Sequence, residues 1–242
     1  MKIKNTYKTL AVIFALAVVA GSAQMASAAT VIPLTNPSFE VDDMPANTGD
    51  ILTPAGWTLF ANGLSFVGDG GWLATGSPDG GGVAGAHSGD QYFLAHAVSG
   101  FTTIHQDTGL TWSALSAGDT LTVGAWTTYR SNVDGTAPTY FWLNDGDGSG
   151  LNSGAMDVTV GATVGVWTQR SWTYTVTQQK IDEALLGNWG AVNVQVGINT
   201  TGLQQVLFDD VSLVHTAIPE PSGIALCGLG LGLLALRRKR CL

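Results

Sequence analysis

The chain is expected to be all-β, with an antiparallel β-sandwich as its body, and three observations predict this. Stretches with a two-residue apolar period recur between residues 29 and 216. Glycine is abundant, 32 of 242 residues, and falls in turn dipeptides between those stretches. A helical period is nearly absent. Many short strands, frequent turns and little helix are the signature of a sandwich.

The strands can be taken in order. Gln91 to Ala97 is rich in aromatic and apolar residues, which suit a pleated, half-buried surface. In Thr120 to Trp126, Leu121, Val123 and Ala125 alternate with Thr120, Thr122 and Gly124, the period of a strand with one buried face. Thr139 to Leu143 is again aromatic and apolar. In Gln169 to Thr177, Trp172, Tyr174 and Val176 face one way and Thr173, Thr175 and Thr177 the other. Ala191 to Ile198 sets Val192, Val194, Val196 and Ile198 against Asn193 and Gln195. Val206 to Val214 is the last strand. Asn62-Gly63, Gly118-Asp119 and Asp134-Gly135 are turn signals. Lys180 to Leu186 is the one helical stretch expected, and Gly68 to Gly89 is a glycine-rich connection.

The two ends read as sorting signals. Residues 1–28 form a signal peptide: Lys2, Lys4 and Lys8 precede an apolar run from Leu10 to Ala20, and Ala26-Ser27-Ala28 is a small-x-small cleavage site before Ala29. That run is about half the length that spans a bilayer, which favours cleavage over anchoring. The body, 29–216, is one domain. A linker at 217–222 carries Pro219-Glu220-Pro221, and its two prolines enforce an extended segment. Residues 223–236 form a short transmembrane helix, and 237–242 a basic end with Arg237, Arg238, Lys239 and Arg240. Fourteen helical residues reach roughly 21 Å, less than a hydrocarbon core of about 30 Å. The basic cluster orients this end to the cytoplasm and the body outward.

Setting the ends aside exposes an acidic body. Of ten Lys and Arg residues, only Arg130, Arg170 and Lys180 lie between 29 and 217, against seventeen of the eighteen acids, a formal charge of −14 where the whole chain has −8. Such a surface repels phosphate backbones and excludes nucleic acid as a partner. Both cysteines, Cys227 and Cys241, belong to the tail, so the body must be held by its core and not by disulfides.

No catalytic constellation is legible. His87, His96, His105 and His215 lack metal-ligand spacing, and His87-Ser88-Gly89-Asp90 has no nucleophile elbow beside it. Asn144-Asp145-Gly146-Asp147-Gly148-Ser149 opens like a calcium loop, but Met156 stands where a closing Glu is needed; a turn is expected. All eight tryptophans lie in the body. Flat aromatic faces stack on sugar rings, and the candidates are Trp72, Trp57, Trp142 and Tyr129, with Trp126 beside them and Trp72 the most exposed. Most tryptophans on strands are expected in the core.

Two resemblances add to this reading. Asn36-Pro37-Ser38-Phe39-Glu40 with Gly56-Trp57-Thr58, then His87-Ser88-Gly89-Asp90-Gln91-Tyr92 and Ile104-His105-Gln106, then Phe208-Asp209-Asp210-Val211-Ser212-Leu213, resemble in their order the galactose-binding-like jelly rolls shared by many carbohydrate-binding modules. The resemblance covers nearly all of 31–216. It implies first and last strands side by side and a structural calcium held by Glu40 and Asp209, with Asp42 and Asp210 in reserve. Simple alternation puts Asp209 on the face of Val211 and Leu213, and Asp210 on that of Phe208 and Ser212. The tail resembles the PEP-CTERM sorting signal of Gram-negative bacteria, although Ile218 stands where Val is usual and Cys241-Leu242 follow the arginines. This implies an exosortase-like processing enzyme as a partner, an inner-membrane intermediate, and a final place at the cell surface or in the extracellular matrix. The expected function is a non-catalytic biofilm-matrix protein that binds exopolysaccharide. The alternatives are an adhesion or structural module without a sugar ligand and, last, a secreted glycan hydrolase.

Overall fold

The period-two stretches do become strands. The computed structural model describes residues 27–46, 48–61, 64–69, 85–130, 139–144, 165–200 and 202–218. The expected signal sequence up to Ala26, Trp72 and its glycine-rich surroundings, the turn at Asp134, the Asp145 loop and the tail from Pro219 to Leu242 lie outside them. The strands are β1 (Ala29–Ile32), β2 (Gly49–Asp50), β3 (Thr58–Ala61), β4 (Leu64–Asp69), β5 (Gln91–Ala97), β6 (Gly100–Thr111), β7 (Thr120–Tyr129), β8 (Thr139–Asn144), β9 (Thr168–Thr175), β10 (Ala191–Thr200) and β11 (Gln204–Thr216). A single α-helix is described, α1 (Gln178–Leu186), capped by Thr177, whose side chain accepts from the Lys180 N–H. Among the described residues no helix is long and apolar enough to cross a membrane.

Two antiparallel sheets result. The larger has the order β2-β4-β5-β11-β7-β9, with β1 also on β11; the smaller is β3-β6-β10-β8. The compact unit containing them runs from Ala29 to Thr216. β1 pairs with β11 from Ala29↔Thr216 to Ile32↔Leu213, so the first and last strands lie side by side. Between the sheets, Phe93 and Ala95 of β5, Leu121 and Val123 of β7, and Val206, Phe208 and Leu213 of β11 meet Ile104 of β6, Phe141 and Leu143 of β8, and Val192, Val194, Val196 and Ile198 of β10, all buried in one core. This is an all-β antiparallel sandwich. The alternations read in β7, β9 and β10 are the ones observed: their apolar positions are the core positions.

Alternation fails in β11, and the reason is local. Phe208 pairs with Thr127 and Asp209 with Trp126, but the register then shifts and Ser212 pairs with Gly124. Asp210 takes a left-handed φ of 48°, the backbone signature of a bulge. Phe208 and Leu213 both point into the core, so Asp209 does not share the face of Val211 and Leu213 as simple alternation requires.

Candidate functional site

The N-terminal motif builds a corner where the sandwich is pinned. Phe39, fully buried, packs its ring 5.8 Å from both Trp57 and Phe93. Trp57 donates its indole N–H to the Asn36 carbonyl at 3.1 Å, and the Asn36 amide donates to the Ala55 carbonyl while its Oδ1 accepts from the Val41 N–H. Asp42 accepts from the Ala55 N–H at 3.0 Å and from the Asn36 amide at 3.3 Å. The Val211 N–H donates to the Pro37 carbonyl at 2.9 Å, tying the bulge to this motif.

Two carboxylates grip one turn from opposite ends. Asp209 Oδ2 accepts from the His87 and Ser88 N–H groups, each at 2.9 Å, and its Oδ1 from the Asp210 N–H at 2.7 Å. Glu40 Oε1 accepts from the Gln91 N–H at 2.8 Å and the Asp90 N–H at 3.1 Å. Between them Gly89, at φ +57°, leaves room for Glu40 that a Cβ would take. Asp209 is 0% exposed. Burial, and then the nearby charge of Asp210, push its pKa from 3.8 up to about 7 against the opposing pull of its N–H donors.

The four expected metal ligands divide into two pairs. Calcium takes six to eight oxygens, carboxylates mixed with carbonyls. Each carboxylate oxygen has two lone pairs, so Asp209 keeps one acceptor position open on Oδ1 and Glu40 one on Oε2, which makes only a longer 3.2 Å contact with the Asp90 N–H. Glu40 and Asp209 thus retain lone pairs at opposite ends of the 87–91 turn. Asp42 is committed to Ala55 and Asn36. Asp210 is committed elsewhere: its Oδ2 lies 2.6 Å from His87 Nδ1 and its Oδ1 accepts from the Ser88 hydroxyl at 2.7 Å. Asp209, Asp210 and His87 offer ligand atoms within 4.8 Å of one another, but an imidazole nitrogen is a poor donor to calcium. His87 lies flat on Trp126, centroids 3.8 Å apart. His87, Ser88 and Asp210 do meet, yet Asp210 stands between the other two, so the Ser88 hydroxyl has no bond to the imidazole. This is not the order of a nucleophile and its base.

A different surface gathers aromatic and polar side chains. The outer face of the four-stranded sheet follows from register. Gln195 of β10 lies between His105 of β6 and Trp142 of β8, and Gly197 lies between Thr103 and Tyr140. Thr58 and Phe60 of β3 lie beside His105 and Thr103. At one side Tyr140 stacks on Trp142, centroids 4.9 Å apart and planes within 12°; at the other Phe60 stacks on Phe101 at 4.7 Å and 15°. β3, which carries Phe60, lies three strand spacings from β8, roughly 14 Å, and β6, which carries Phe101, lies two. The floor between the two stacks is polar and ordered: Gln195 donates its amide to the Thr103 hydroxyl, which donates to the Phe60 carbonyl at 3.0 Å. Gly197 admits no side chain, since a Cβ would strike the Thr102 carbonyl and Thr103. No Lys or Arg stands on this face among the described residues.

Of the expected sugar-stacking residues, Trp142 alone is on this face. Trp57 and Tyr129, 7% and 3% exposed, are core residues and cannot stack on a ligand from solution; Trp72 lies outside the described residues. Sequence reasoning missed Phe60, Phe101, Thr103, His105, Gln195 and Tyr140. The available signal was Tyr140-Phe141-Trp142-Leu143, in which either alternating pair could have faced the core.

No protein-family model matches the chain, and no curated protein matches it. Solved structures do. A Stig cyclase, Fisc from Fischerella sp. TAU in complex with (3Z)-3-(1-methyl-2-pyrrolidinylidene)-3H-indole, is 15% identical with a TM-score of 0.58, over 79% of this chain and 100% of that one. An apo cyclase from Fischerella sp. is 18% identical at the same TM-score, over 79% and 98%. The CBM22-1 xylan-binding domain of Paenibacillus barcinonensis Xyn10C is 12% identical at a TM-score of 0.44, over 80% and 99%. At such identities the cyclases share a fold with this chain, and nothing more follows from the likeness.

Proposed function

We propose that this chain is an exported, non-catalytic polysaccharide-binding protein of the cell surface or extracellular matrix, and that the outer face of the four-stranded sheet is its glycan site. The observation that supports this is the pair of aromatic stacks flanking a hydrogen-bonded polar floor. Sugar rings present apolar faces and a girdle of hydroxyls, and bind where aromatic rings and fixed polar groups alternate. The absence of Lys and Arg from the described part of this face, on a body with a formal charge of −14, favours neutral glycans over uronates. Calcium belongs to the same proposal: held by Glu40 and Asp209, it would supply positive charge to a buried carboxylate at the corner that joins the first and last strands. The Pro219-Glu220-Pro221 tail is read as the address by which an exosortase-like enzyme releases the protein from the inner membrane.

The test is an array of neutral and acidic polysaccharides probed with the exported protein and with Trp142→Ala. Truncating a stacking aromatic removes about 1–3 kcal/mol of binding, a fall in affinity of roughly 5- to 160-fold, with the melting temperature little changed. Silence of the wild type across the array would sink the glycan reading and leave an adhesion or structural module. Turnover of the glycan, abolished by a single carboxylate change, would replace binding with hydrolysis.

A further inference from the structure

His105 occupies the middle of the polar floor, and its chemistry differs from that of its neighbours. Thr103 and Gln195 spend hydrogen bonds on each other and on the Phe60 carbonyl. His105 is half-buried between Thr58 of β3 and Gln195 of β10, yet its ring has no hydrogen-bond partner among the described residues. A polar group at this depth that bonds to nothing in the protein is costly unless water or a ligand completes it. It stands in the row that ends at Trp142, two strands away across Gln195.

We propose that His105 is the specificity-determining residue of the glycan site, bonding a sugar hydroxyl through its neutral imidazole so that neutral glycan is held at neutral pH and released in acid. The inference rests on the glycan reading of this face. A neutral imidazole offers one N–H donor and one acceptor, which matches a hydroxyl that both gives and takes a hydrogen bond. A bound sugar strips the remaining water from the ring and so disfavours the imidazolium. Binding then favours the neutral form, and affinity is full above the imidazole pKa and declines below it. Burial already holds that pKa beneath the ordinary 6.5.

The surroundings leave His105 as the titrating group. From β3 it is faced by Thr58 and Phe60, and from β10 by Asn193 and Gln195, none of which ionises near neutrality. Tyr140 and Trp142 of β8 lie one strand further. The one charged neighbour on this face of β6 is Asp107, two residues along and about 7 Å away; its Oδ1 accepts from the Gly109 N–H at 2.7 Å.

The experiment measures binding of the exported protein to immobilised xylan, galactan and polygalacturonate at pH 7.5 and 5.0, for wild type, His105→Ala, His105→Gln and Trp142→Ala. For wild type on a neutral glycan, affinity is expected to fall about tenfold from pH 7.5 to 5.0. His105→Ala should bind about tenfold more weakly at pH 7.5 and show no pH dependence. His105→Gln, which keeps a donor and an acceptor but cannot titrate, should retain most of the affinity at both pH values. Binding that is lost in Trp142→Ala but unchanged in His105→Ala, or a pH dependence that survives in His105→Gln, overturns the role of His105 and leaves the glycan site standing. No binding of any of the three glycans by wild type overturns the glycan reading and this inference with it. Melting temperatures of the variants within a few degrees of wild type confirm that each is folded.

Discussion

Replacing Asp209 by asparagine tests the buried carboxylate at the corner. In chelator at pH 8, the folded wild type carries a fully buried negative charge whose pKa has risen from 3.8 to about 7. A raised pKa means that the folded state binds this proton more tightly than the unfolded chain. The stabilisation it contributes is therefore complete below pH 4 and lost as pH rises to about 7. Three units correspond to roughly 4 kcal/mol, an upper figure for the change. Asparagine removes that dependence, but it turns one accepting oxygen into an amide NH2 donor, which set against the Asp210 N–H costs about 1–3 kcal/mol. The difference between Asp209→Asn and wild type should thus change sign: the variant is the less stable at pH 5 and the more stable at pH 8. At about 2–4 °C per kcal/mol for a domain of this size, melting curves at the two pH values, in chelator and in calcium, resolve it. Titrating groups remote from the corner are shared by both proteins and cancel in the difference. Calcium should raise the melting temperature of wild type at pH 8 and leave the variant almost unmoved. An equal gap at both pH values in chelator would refute the account of the buried charge, and a wild type indifferent to calcium would remove the ion from this corner.

Two further outcomes are expected. Trp57→Ala removes a core indole together with its bond to the Asn36 carbonyl and should cost about 3–5 kcal/mol, a drop in melting temperature on the order of 10 °C by calorimetry, while glycan affinity per folded molecule stays unchanged; weakened binding with an intact melting temperature would move Trp57 into the site. Mass spectrometry of the protein recovered outside the cell should show a chain that begins at Ala29 and lacks residues 222–242, and a recovered chain that keeps those residues ends the sorting interpretation.

How far the sequence could be read depended on where the information lay. Core strands were legible because Val192, Val194, Val196 and Ile198, or Leu121, Val123 and Ala125, each obey one period within one segment. β6 was not identified as a strand, because its twelve residues include nine that are polar or glycine and its buried side includes Thr102 and Gln106. Gln106 is spent on the backbone, donating to the Thr35 and Gly56 carbonyls and accepting from the Thr35 N–H, so its burial follows from partners 50 and 71 residues away. The corner was legible as motifs but not as roles. Nothing in Phe208-Asp209-Asp210-Val211 announces that the backbone turns left-handed at Asp210, and that one angle decides which carboxylate grips the 87–91 turn and which holds His87. The aromatic face proposed as the glycan site was the least legible, since it is assembled from one or two residues on each of four strands that are adjacent in space but scattered over 85 residues of chain from Thr58 to Trp142 and beyond to Gly197.

The same alternation explains why the exposed aromatics carry information. In β8, Phe141 and Leu143 are fully buried, and a strand that places them inward must place Tyr140 and Trp142 outward. Folding needs only the first pair; threonine or serine at 140 and 142 would satisfy the strand equally well and keep the face wet. On β3, Phe60 remains 54% exposed although it is stacked on Phe101. Scattered surface apolar residues need no explanation, but two stacked pairs facing each other across a floor of Thr103, Gln195, His105 and a glycine do. Their cost is hydration of large apolar rings, offset in part by the stacking within each pair. The pattern that builds the core therefore also separates, strand by strand, the residues that folding requires from those it leaves to another role.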